Sequence, residues 1–173
     1  MLESTPMSIR AAILTLSDKG ASGHRLDTAG PAIATLLASI GAEIIETAVL
    51  PDDRETIAAQ LRRWTDEISA DLILTTGGTG LSPRDVTPEA TLDVADRLVP
   101  GIAELMRESG RKSTHLSSLS RSVAVIRAQT LIINLPGSER GARESLESIL
   151  ELLPHAVELL RGDSGEDHPV NQL

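Results

Sequence analysis

Apolar and polar residues alternate in blocks along the first half of the chain, and the blocks predict strands and helices in turn. The first four predicted elements are a strand at residues 10–16, a helix at 31–40, a strand at 43–50 and a helix at 54–68. Apolar side chains in the second helix recur at three- and four-residue steps, at Ile57, Leu61, Trp64 and Ile68. This spacing predicts an inward-facing stripe with Trp64 in the core. Asp53 precedes the helix and is predicted to cap it.

The second half of the chain continues the pattern around a short aliphatic run at residues 72–76. The run shows no alternation, which is typical of a central parallel strand covered on both faces. A helix is predicted at 88–98, and a shorter helix follows Pro100 and ends near Gly110. Residues 111–122 hold many serines and few large apolar groups, so we predict a loop there on the ligand side.

Two closely spaced apolar runs near the end of the chain predict a change of strand direction. Residues 123–127 and 130–135 are separated by so few residues that an antiparallel pair is favoured over a crossover. A last helix is predicted at 138–160, and Pro154 would kink or divide it. The order of elements therefore predicts an α/β fold, a three-layer α/β/α sandwich whose sheet is mostly parallel with an antiparallel edge pair.

The domain organisation follows from this pattern and from the length of the chain. A chain of 173 residues is the size of one domain. We predict an N-terminal extension at residues 1–7, a single α/β domain at 8–161, and an acidic C-terminal tail at 162–173. Residues 1–7 are polar and show no signal-peptide pattern, and no apolar run reaches the roughly 20 residues that span a bilayer. We therefore expect a cytoplasmic protein with no membrane partner.

Composition argues against several other classes of function. The formal net charge of −9 disfavours nucleic acid or an anionic membrane as the main partner. Trp64 is the only aromatic side chain of the Phe, Tyr and Trp class, so no platform for stacking bases is expected. The absence of cysteine excludes disulfides, thiolate nucleophiles and cysteine-bound zinc. Zinc catalysis has no support from the histidines either, because none of them has metal-ligand spacing: His24, His115, His155 and His168.

The segment at residues 75–89 carries the clearest candidate chemistry. Its strand runs into three glycines that can take positive φ and bring backbone N–H groups close to an oxyanion: Gly77, Gly78 and Gly80. A helix start follows, with Thr87 predicted as the N-cap and Pro88 at the first helical position. This order of parts favours an anionic, phosphate-bearing ligand together with a metal ion. A tight strand-to-helix turn without a ligand would use the same glycines, and this alternative remains open.

Five blocks of the chain, including this segment, carry a family resemblance. They lie at residues 13–19, 49–53, 75–90, 120–121 and 132–138. In content and order they resemble the molybdopterin adenylyltransferase family of molybdenum cofactor biosynthesis, which includes the G domains of plant and animal cofactor proteins. The resemblance spans about residues 8–160, and it implies that the domain at 8–161 binds molybdopterin. The Thr-Gly-Gly-Thr-Gly and Asp-Val-Thr-Pro parts of the third block are its most specific elements.

The resemblance implies an enzyme that transfers AMP from ATP to the terminal phosphate of molybdopterin and releases pyrophosphate. ATP and molybdopterin are then the substrates, and Mg²⁺ or a similar divalent cation offsets the charge of the two anions. Asp52 and Asp85 match acidic positions of the family motif, which makes them the implied catalytic residues and metal ligands. Asp53 competes with Asp52 for this role, and a turn or cap position is the alternative for Asp52. The alternative for Asp85 is that it only braces its own loop.

The resemblance also implies a set of substrate-binding residues around these acids. They are Ser17, Asp18, Thr76, Gly77, Gly78, Thr79, Gly80, Arg84, Ser120, Arg121, Asn134, Pro136, Gly137 and Ser138. Residues 19–27, which follow Ser17 and Asp18, are predicted to form a long polar loop. A solvated loop position would explain Arg84 equally well. Routine turn chemistry would likewise explain the Pro-Gly-Ser turn at 136–138.

Three functions remain open from the sequence. The main hypothesis is an active adenylyltransferase. The alternative is a non-catalytic carrier that holds molybdopterin and passes it to a molybdenum insertase. A third hypothesis is an adapter that retains the fold and contacts a partner protein. The resemblance also leads us to expect a homotrimer.

Overall fold

The structure, a computed structural model, describes residues 8–162, so the extension at 1–7, residues 163–173 of the tail and His168 lie outside the described residues. The strands in chain order are β1 (Ile9–Leu16), β2 (Ala42–Leu50), β3 (Leu72–Thr76), β4 (Arg97–Leu98), β5 (Ala124–Arg127) and β6 (Thr130–Leu135). The α-helices are α1 (Asp18–Ala21), α2 (Ala29–Ala38), α3 (Arg54–Asp66), α4 (Thr87–Leu92), α5 (Pro100–Arg111), α6 (Glu139–Ile149) and α7 (Leu153–Arg161). Short 3₁₀ helices lie at His115–Leu119 and Leu150–Leu152.

These strands form one sheet in the order β2-β1-β3-β6-β5-β4. β1 pairs in parallel with β2 and β3, and β3 pairs in parallel with β6. β5 is antiparallel to both β6 and β4. Ala128 has a φ of 50° in the tight turn that joins β5 to β6, which explains the reversal of direction. The predicted sheet, mostly parallel with an antiparallel edge, is confirmed.

The hydrophobic core lies in two layers, one on each face of the sheet. Ile13 and Leu74 point into a cluster with α2, α5, α6 and α7, whereas Leu14 and Ile73 point into a cluster with α3 and α4. Alternate residues of the same strands therefore supply both clusters, as the pleat of a strand requires. Trp64 is fully buried in the second cluster, as predicted. The three-layer α/β/α sandwich is confirmed.

The helix predicted at residues 88–98 is wrong at its C-terminal end. α4 ends at Leu92, and Arg97–Leu98 forms the edge strand β4. The backbone N–H of Val99 also donates to the Ala124 carbonyl, at 2.8 Å. Helical periodicity does not record the unpaired hydrogen-bonding groups that β5 offers at the sheet edge, and these decide the local structure.

Other local predictions meet mixed outcomes. The segment predicted as a loop after Ser17 begins with the single-turn helix α1, and the loop predicted at 111–122 contains a 3₁₀ helix. Thr87 is the first residue of α4 and not its N-cap, which is Val86. The division of the last helix near Pro154 is confirmed, because α7 takes this proline into its first turn.

The parallel strands place their carboxyl ends along one edge of the sheet, which we call the carboxyl edge. β1 is followed there by Ser17, β2 by Pro51 and Asp52, β3 by Gly77 and β6 by Pro136. Ligands of open α/β sheets gather at this edge. Within residues 8–162, no helix is both long enough and apolar enough to span a bilayer.

Candidate functional site

Residues 77–80, which we call the glycine loop, follow β3 and are folded tightly at the carboxyl edge. Gly77 and Gly78 have φ of 104° and 65°, values that L-residues rarely adopt. A Cβ on Gly77 would lie 2.3 Å from the Leu16 carbonyl oxygen, and one on Gly78 would lie 2.3 Å from Thr87 Oγ1. Thr87 Oγ1 donates to the Gly77 carbonyl at 2.8 Å. Both positions therefore require glycine for reasons of backbone angle and of space.

Beside this loop lies a polar cavity of about 400 Å³, which we call the acidic chamber. Its walls are Thr15, Leu16, Ser17, Gly20, Arg25, Leu26, Asp27, Thr28, Ala29, Asp52, Thr76, Gly77, Gly78, Asp85, Gly137 and Ser138. The chamber thus brings together residues from the ends of β1, β2, β3 and β6. Most of the predicted site residues at these four strand ends line it.

Asp52 is the carboxylate with the most unusual surroundings in the acidic chamber. Its Oδ2 accepts a hydrogen bond from the Asp18 N–H at 3.2 Å, whereas its Oδ1 is buried and has no partner among the described residues. Burial raises the pKa of Asp52 above its ordinary value, and the nearby charges of Asp18 and Asp85 act in the same direction. The hydrogen bond from Asp18 opposes this shift in part. A buried, unpartnered carboxylate oxygen is costly unless a ligand completes it.

Asp53 occupies the capping position that competed with a role in the site. Its Oδ1 accepts from the Thr56 N–H at 2.8 Å and from the Thr56 hydroxyl. These bonds cap α3 and hold the pKa of Asp53 below its ordinary value. Asp53 is exposed and does not line the acidic chamber. Of the two neighbouring acids, the geometry therefore turns Asp52 towards the chamber.

Asp85 reaches the acidic chamber from the loop that follows the glycines. Its Oδ2 accepts from the Ser82 N–H at 2.9 Å, which braces the carboxylate against its own turn. A Cβ on Gly80 would lie 2.8 Å from the same oxygen, so the Asp85 carboxylate packs directly against the Gly80 backbone. The predicted rival role, in which Asp85 braces its loop, is therefore also present in the structure. The two roles are compatible because a carboxylate has several acceptor positions.

Asp18 and Arg84 form an ion pair beside the acidic chamber. Arg84 donates through Nε and Nη2 to the Asp18 carboxylate at 2.8 to 3.0 Å. These bonds, together with the bond from the Asp52 N–H, hold the pKa of Asp18 below its ordinary value. Asp18 and Asp52 thus exchange backbone-to-carboxylate bonds in both directions. The Arg84 side chain is largely exposed and is directed to a protein carboxylate.

A second cavity of about 290 Å³ lies on the other side of the glycine loop, and its walls are mostly apolar, so we call it the apolar chamber. Its walls are Thr79, Gly80, Ala103, Met106, Arg107, Gly110, Thr114, Leu116, Ser117, Leu119, Ser120, Ser122, Pro136, Ser138, Gly141, Glu144 and Ser145. α5, α6 and the 3₁₀ helix at His115–Leu119 supply most of them. Ser138 lines both chambers, so they meet at the start of α6.

Two predicted contacts, Thr76 and Asn134, are directed into the protein. Asn134 is fully buried, and its Nδ2 donates to Thr75 Oγ1 at 3.0 Å and to Thr91 Oγ1 at 2.9 Å. Its Oδ1 accepts from the Val123 N–H at 3.3 Å. Asn134 therefore ties β6 to its neighbours and lines neither chamber. Thr76 is buried in the wall of the acidic chamber, and its hydroxyl donates to the Pro136 carbonyl at 2.7 Å.

The turn after β6 closes against the glycine loop. A Cβ on Gly137 would lie 3.1 Å from Gly77 Cα, so the two glycine backbones are in close contact. Ser138 caps α6 by accepting from the Gly141 N–H at 3.1 Å. Gly137 and Ser138 line the acidic chamber, and Pro136 and Ser138 line the apolar one. The structure thus brings this turn into the site through its position between the chambers.

Sequence reasoning did not single out the charged wall residues Asp27 and Arg107. Asp27 lines the acidic chamber, accepts from Thr15 Oγ1 at 2.8 Å and accepts from the Gly30 N–H at 3.0 Å. An acid shortly before the start of a predicted helix was the available signal, since it is a capping pattern. Arg107 lines the apolar chamber and donates to the Ser122 carbonyl at 3.0 Å. Nothing in its sequence context distinguished it from other helical arginines.

Within residues 8–162, no group of three or more His, Asp or Glu side chains is arranged to hold a metal ion. Of the acids that line the acidic chamber, Asp52 and Asp85 lie beside the glycine loop, because a Cβ on Gly78 would lie 3.0 Å from Asp52 Oδ1 and one on Gly80 would lie 2.8 Å from Asp85 Oδ2. A pair of carboxylates is nevertheless sufficient for Mg²⁺ when phosphate oxygens and water complete the octahedron. The chamber could therefore hold a divalent ion together with a phosphate-bearing ligand.

Comparisons with known proteins show the family to which the chain belongs. A family model described as a probable molybdopterin binding domain matches residues 12–155. A molybdopterin adenylyltransferase from Helicobacter pylori strain J99 is 39% identical over 158 residues, which covers 90% of each chain. The molybdopterin adenylyltransferase of Escherichia coli K12 is 38% identical over 176 residues, which covers 94% of this chain and 90% of that protein. The molybdenum cofactor synthesis protein cinnamon of Drosophila melanogaster is 41% identical over 160 residues, but the chain spans only 26% of its length.

Solved structures extend the similarity to the whole described fold. The molybdopterin biosynthesis enzyme MoaB from Thermus thermophilus has a TM-score of 0.85 at 53% identity, and the match covers 89% of this chain and 97% of that one. The molybdopterin biosynthesis Mog protein from Mycobacterium ulcerans has a TM-score of 0.83 at 38% identity, with 88% and 99% covered. The chain therefore belongs to the molybdopterin-binding domain family of MogA-like and MoaB-like proteins.

Proposed function

We propose that the protein is a molybdopterin adenylyltransferase, which transfers AMP from ATP to molybdopterin and releases pyrophosphate. One observation carries the proposal: Asp52 and Asp85 converge beside the glycine loop, and the buried Oδ1 of Asp52 has no partner among the described residues. Relatives named molybdopterin adenylyltransferase match about nine-tenths of the chain, which supports the same activity here. The MoaB structure from Thermus thermophilus supports the pathway.

The two chambers suit the two kinds of group that the reaction must hold. The acidic chamber suits the triphosphate, because Gly77 and Gly78 line it without side chains that would obstruct phosphate oxygens, although the Gly77 N–H itself donates to the Leu135 carbonyl at 3.1 Å. The apolar chamber suits a flat heterocycle such as a pterin, with the hydroxyls of Thr79, Ser120 and Ser138 as polar contacts at its edge. The chambers meet at Ser138, where the phosphate of one substrate would face the α-phosphate of the other.

The reaction needs positioning and charge neutralisation more than a protein nucleophile. An oxygen of the molybdopterin phosphate attacks the α-phosphorus of ATP, and a new phosphorus–oxygen bond forms. The bond between that phosphorus and the bridging oxygen breaks, and pyrophosphate leaves with the electron pair. The chain's contribution is to align the two anions and exclude other arrangements, which provides the larger part of catalysis in such transfers.

The residues present fit a divalent cation in the acidic chamber. Asp52 and Asp85 are the proposed ligands, because the first has an open buried oxygen and the second lines the same cavity. Mg²⁺ bound there would neutralise phosphate charge and stabilise the leaving pyrophosphate. Arg84 is a further candidate for phosphate contact, provided that it leaves Asp18. Asn134 is absent from the proposed contacts because its polar atoms are used inside the protein.

The test is pyrophosphate release and adenylylated product formation from ATP, Mg²⁺ and molybdopterin, with wild type beside Asp85→Asn and Asp53→Asn. We expect molybdopterin-dependent turnover that Asp85→Asn loses. Asp53→Asn is the matched control, because asparagine preserves the cap of α3 and the residue does not line the chamber. Tight molybdopterin binding without turnover would instead identify a carrier. The absence of thermal stabilisation by either ligand would identify an adapter.

Assembly, partner and location stay predictions. The homotrimer is tested by light scattering of the purified protein, which distinguishes a monomer from a trimer by mass. The proposed molybdenum insertase partner is tested by transfer of the adenylylated product to a candidate protein. A cytoplasmic location is tested by cell fractionation.

A further inference from the structure

Arg121 donates hydrogen bonds to the glycine loop, to the turn that follows the loop and to α4. Its Nε donates to the Gly80 carbonyl at 2.7 Å, its Nη2 donates to the Asp85 carbonyl at 2.6 Å, and its Nη1 donates to the Glu89 carboxylate. The backbone N–H of Arg121 also donates to the Thr79 carbonyl at 2.9 Å. One residue thus fixes both ends of the segment that separates the two chambers.

The segment held by Arg121 forms a wall of each chamber. Thr79 and Gly80 line the apolar chamber, whereas Asp85 lines the acidic chamber. The Asp85 carboxylate packs on the Gly80 backbone, because a Cβ there would lie 2.8 Å from Asp85 Oδ2. A shift of Gly80 caused by a ligand in the apolar chamber would therefore move the Asp85 carboxylate on the other side.

Arg121 is also joined to the apolar chamber through its neighbour in the chain. Ser120 lines this chamber, and its hydroxyl donates to Ser122 Oγ at 2.9 Å. A ligand that orders Ser120 would restrict Arg121 as well, since the two residues share a peptide bond. The guanidinium would pass that restraint to Gly80 and Asp85 through its two carbonyl bonds.

The guanidinium is engaged with the protein in a way that favours positioning over substrate contact. Nε, Nη1 and Nη2 all have protein acceptors, and the side chain is only 34% exposed. Two of these acceptors are backbone carbonyls, which carry no net charge that a substrate would need to displace. Lysine would not reproduce the arrangement, because its single ammonium lacks the planar fork of arginine.

We propose that Arg121 couples the two chambers, so that a pterin in the apolar chamber and a metal-bound nucleotide in the acidic chamber increase each other's affinity. The inference rests on the proposed function, because it requires both ligands. Such a coupling is reciprocal: each ligand changes the affinity of the other by the same factor. Arg121 is then a positioning residue that acts through Gly80 and Asp85.

The experiment measures binding of α,β-methylene-ATP with Mg²⁺ by calorimetry, in the presence and absence of molybdopterin. The methylene bridge blocks cleavage at the bond that the reaction breaks. In wild type we expect molybdopterin to tighten nucleotide binding by at least about fivefold, the lower end of typical coupling between sites. We call the dissociation constant of the nucleotide without molybdopterin, divided by that with molybdopterin, the coupling ratio. In Arg121→Lys the coupling ratio should approach one, even where each ligand still binds alone.

Arg127→Lys is the matched control. Arg127 likewise donates to one carboxylate, that of Asp66, and to one carbonyl, that of Val94, but it lines neither chamber. This variant should retain the wild-type ratio. Glu89→Gln is the second test variant, since it keeps an acceptor for Arg121 without the charge, and an intermediate ratio is expected.

The outcomes separate the inference from the proposed function. Wild-type protein that binds both ligands with no change in affinity overturns the coupling and leaves the proposed function standing. Wild-type protein that binds neither ligand overturns both. An unchanged ratio in both Arg121→Lys and Glu89→Gln overturns the role of Arg121. If Arg121→Lys does not fold, Glu89→Gln is used alone: a ratio below that of wild type supports the role of Arg121, and an unchanged ratio overturns it.

Discussion

Two aspartates, one at the amino-terminal ends of the strands and one at the carboxyl edge, differ in how far the protein satisfies their carboxylate oxygens. Asp71, just before β3, accepts from the Arg10 N–H at 2.7 Å and from Arg161 through Nε at 3.0 Å and Nη2 at 2.6 Å. Asp52, just after β2, accepts one backbone bond at 3.2 Å and leaves its buried Oδ1 without a partner among the described residues. Both carboxylates are partly buried at a strand end, yet only that of Asp71 has protein hydrogen-bond donors for both of its oxygens.

The two edges differ in whether groups of the protein fill the acceptor positions of the carboxylate. At the amino-terminal edge, Asp71 joins the start of β1 to the end of α7, and its acceptor positions are filled by groups that are always present. At the carboxyl edge, Asp52 faces Asp18 and Asp85, and burial raises its pKa. An arrangement that costs stability in the free protein is expected where a ligand supplies the missing partner. The contrast therefore supports the proposal that ligands bind at the carboxyl edge, and it does so without reference to any relative.

The largest effect that tests this contrast is expected from Gly78→Ala. The new Cβ would lie 2.3 Å from Thr87 Oγ1 and 3.0 Å from Asp52 Oδ1, on a backbone with a φ of 65°. We expect a loss of about 2 to 5 kcal/mol in the free energy of unfolding from strain and overpacking. Turnover should fall at least about a hundredfold, because Asp52 and the glycine loop both move. Denaturant titration and pyrophosphate release measure the two losses.

Gly41→Ala supplies the control for that change at the other edge. Gly41 has a φ of 74°, but a Cβ there would meet nothing within 4 Å. The variant should lose only the cost of the backbone angle, about 1 to 2 kcal/mol, and retain turnover per folded molecule. Equal losses in Gly78→Ala and Gly41→Ala would show that the contacts of Gly78 carry no weight beyond its backbone angle.

The two aspartates themselves should respond in opposite ways to substitution by asparagine. Asp52→Asn should reduce turnover at least about a hundredfold by removing a proposed metal ligand. The same change should leave the free energy of unfolding unchanged or raise it, since the buried charge is removed. Asp71→Asn should cost about 2 to 4 kcal/mol of stability by breaking an ion pair in which each side chain is 14% exposed.

Turnover and stability therefore have to be measured on both variants at a temperature where both are folded. Asp71→Asn should then turn over substrate at the wild-type rate. A large loss of stability in Asp52→Asn would contradict the view that its surroundings disfavour the charged carboxylate. A loss of turnover in Asp71→Asn at that temperature would contradict the separation of the two edges.

Much of the fold was predictable because burial and periodicity determine it together. β3 has the predicted bounds, since five consecutive buried residues leave little choice of element. The break near Pro154 was predictable because proline cannot donate the helical hydrogen bond. β4 was missed because its formation depends on the free edge of β5, which no local pattern records. Local propensity thus succeeds where burial is strong and fails at an exposed sheet edge.

The candidate site shows the same limit at the level of single side chains. The family resemblance singled out Asp52 and Asp85, and the predicted strand ends placed them and the loop at one edge, because parallel strands end together. The direction of a side chain depends on its neighbours in space, and the sequence therefore could not distinguish Arg121, which holds the loop, from a residue that contacts substrate. The same reasoning applies to Asn134, whose partners come from distant positions in the chain.

Asn134→Ala sharpens the contrast by testing a polar residue that the protein satisfies completely. The change would leave the hydroxyls of Thr75 and Thr91 and the Val123 N–H without this partner, at a cost of about 1 to 3 kcal/mol in the free energy of unfolding. The Michaelis constants for ATP and molybdopterin should stay near wild type below the melting temperature. A selective increase in either Michaelis constant with unchanged stability would restore Asn134 to the ligand contacts.

The smallest effect concerns a satisfied carboxylate on the surface, Asp66. Hydrogen bonds from Arg127 hold the pKa of Asp66 below its ordinary value of 3.8. Because the pKa is lower in the folded state, the pair stabilises the protein fully above that value and loses its effect as the pH falls through the folded-state pKa. The melting temperature of wild type should therefore exceed that of Asp66→Asn by at most about 3 °C near neutral pH, since the Asp66 carboxylate is exposed and screened by solvent.

The difference in melting temperature between wild type and Asp66→Asn should then shrink towards zero as the pH falls below 3.8 and through the lowered folded-state pKa of Asp66. Arg127→Gln removes the same ion pair from the other side, so its difference from wild type should decrease over the same pH range, to the remainder left by the lost bond to the Val94 carbonyl. A difference that grows on acidification would mean that the folded protein binds the proton of Asp66 more tightly than the unfolded chain does. That behaviour is expected of a carboxylate in surroundings like those of Asp52, and its appearance at Asp66 would remove the distinction between completed and open acids.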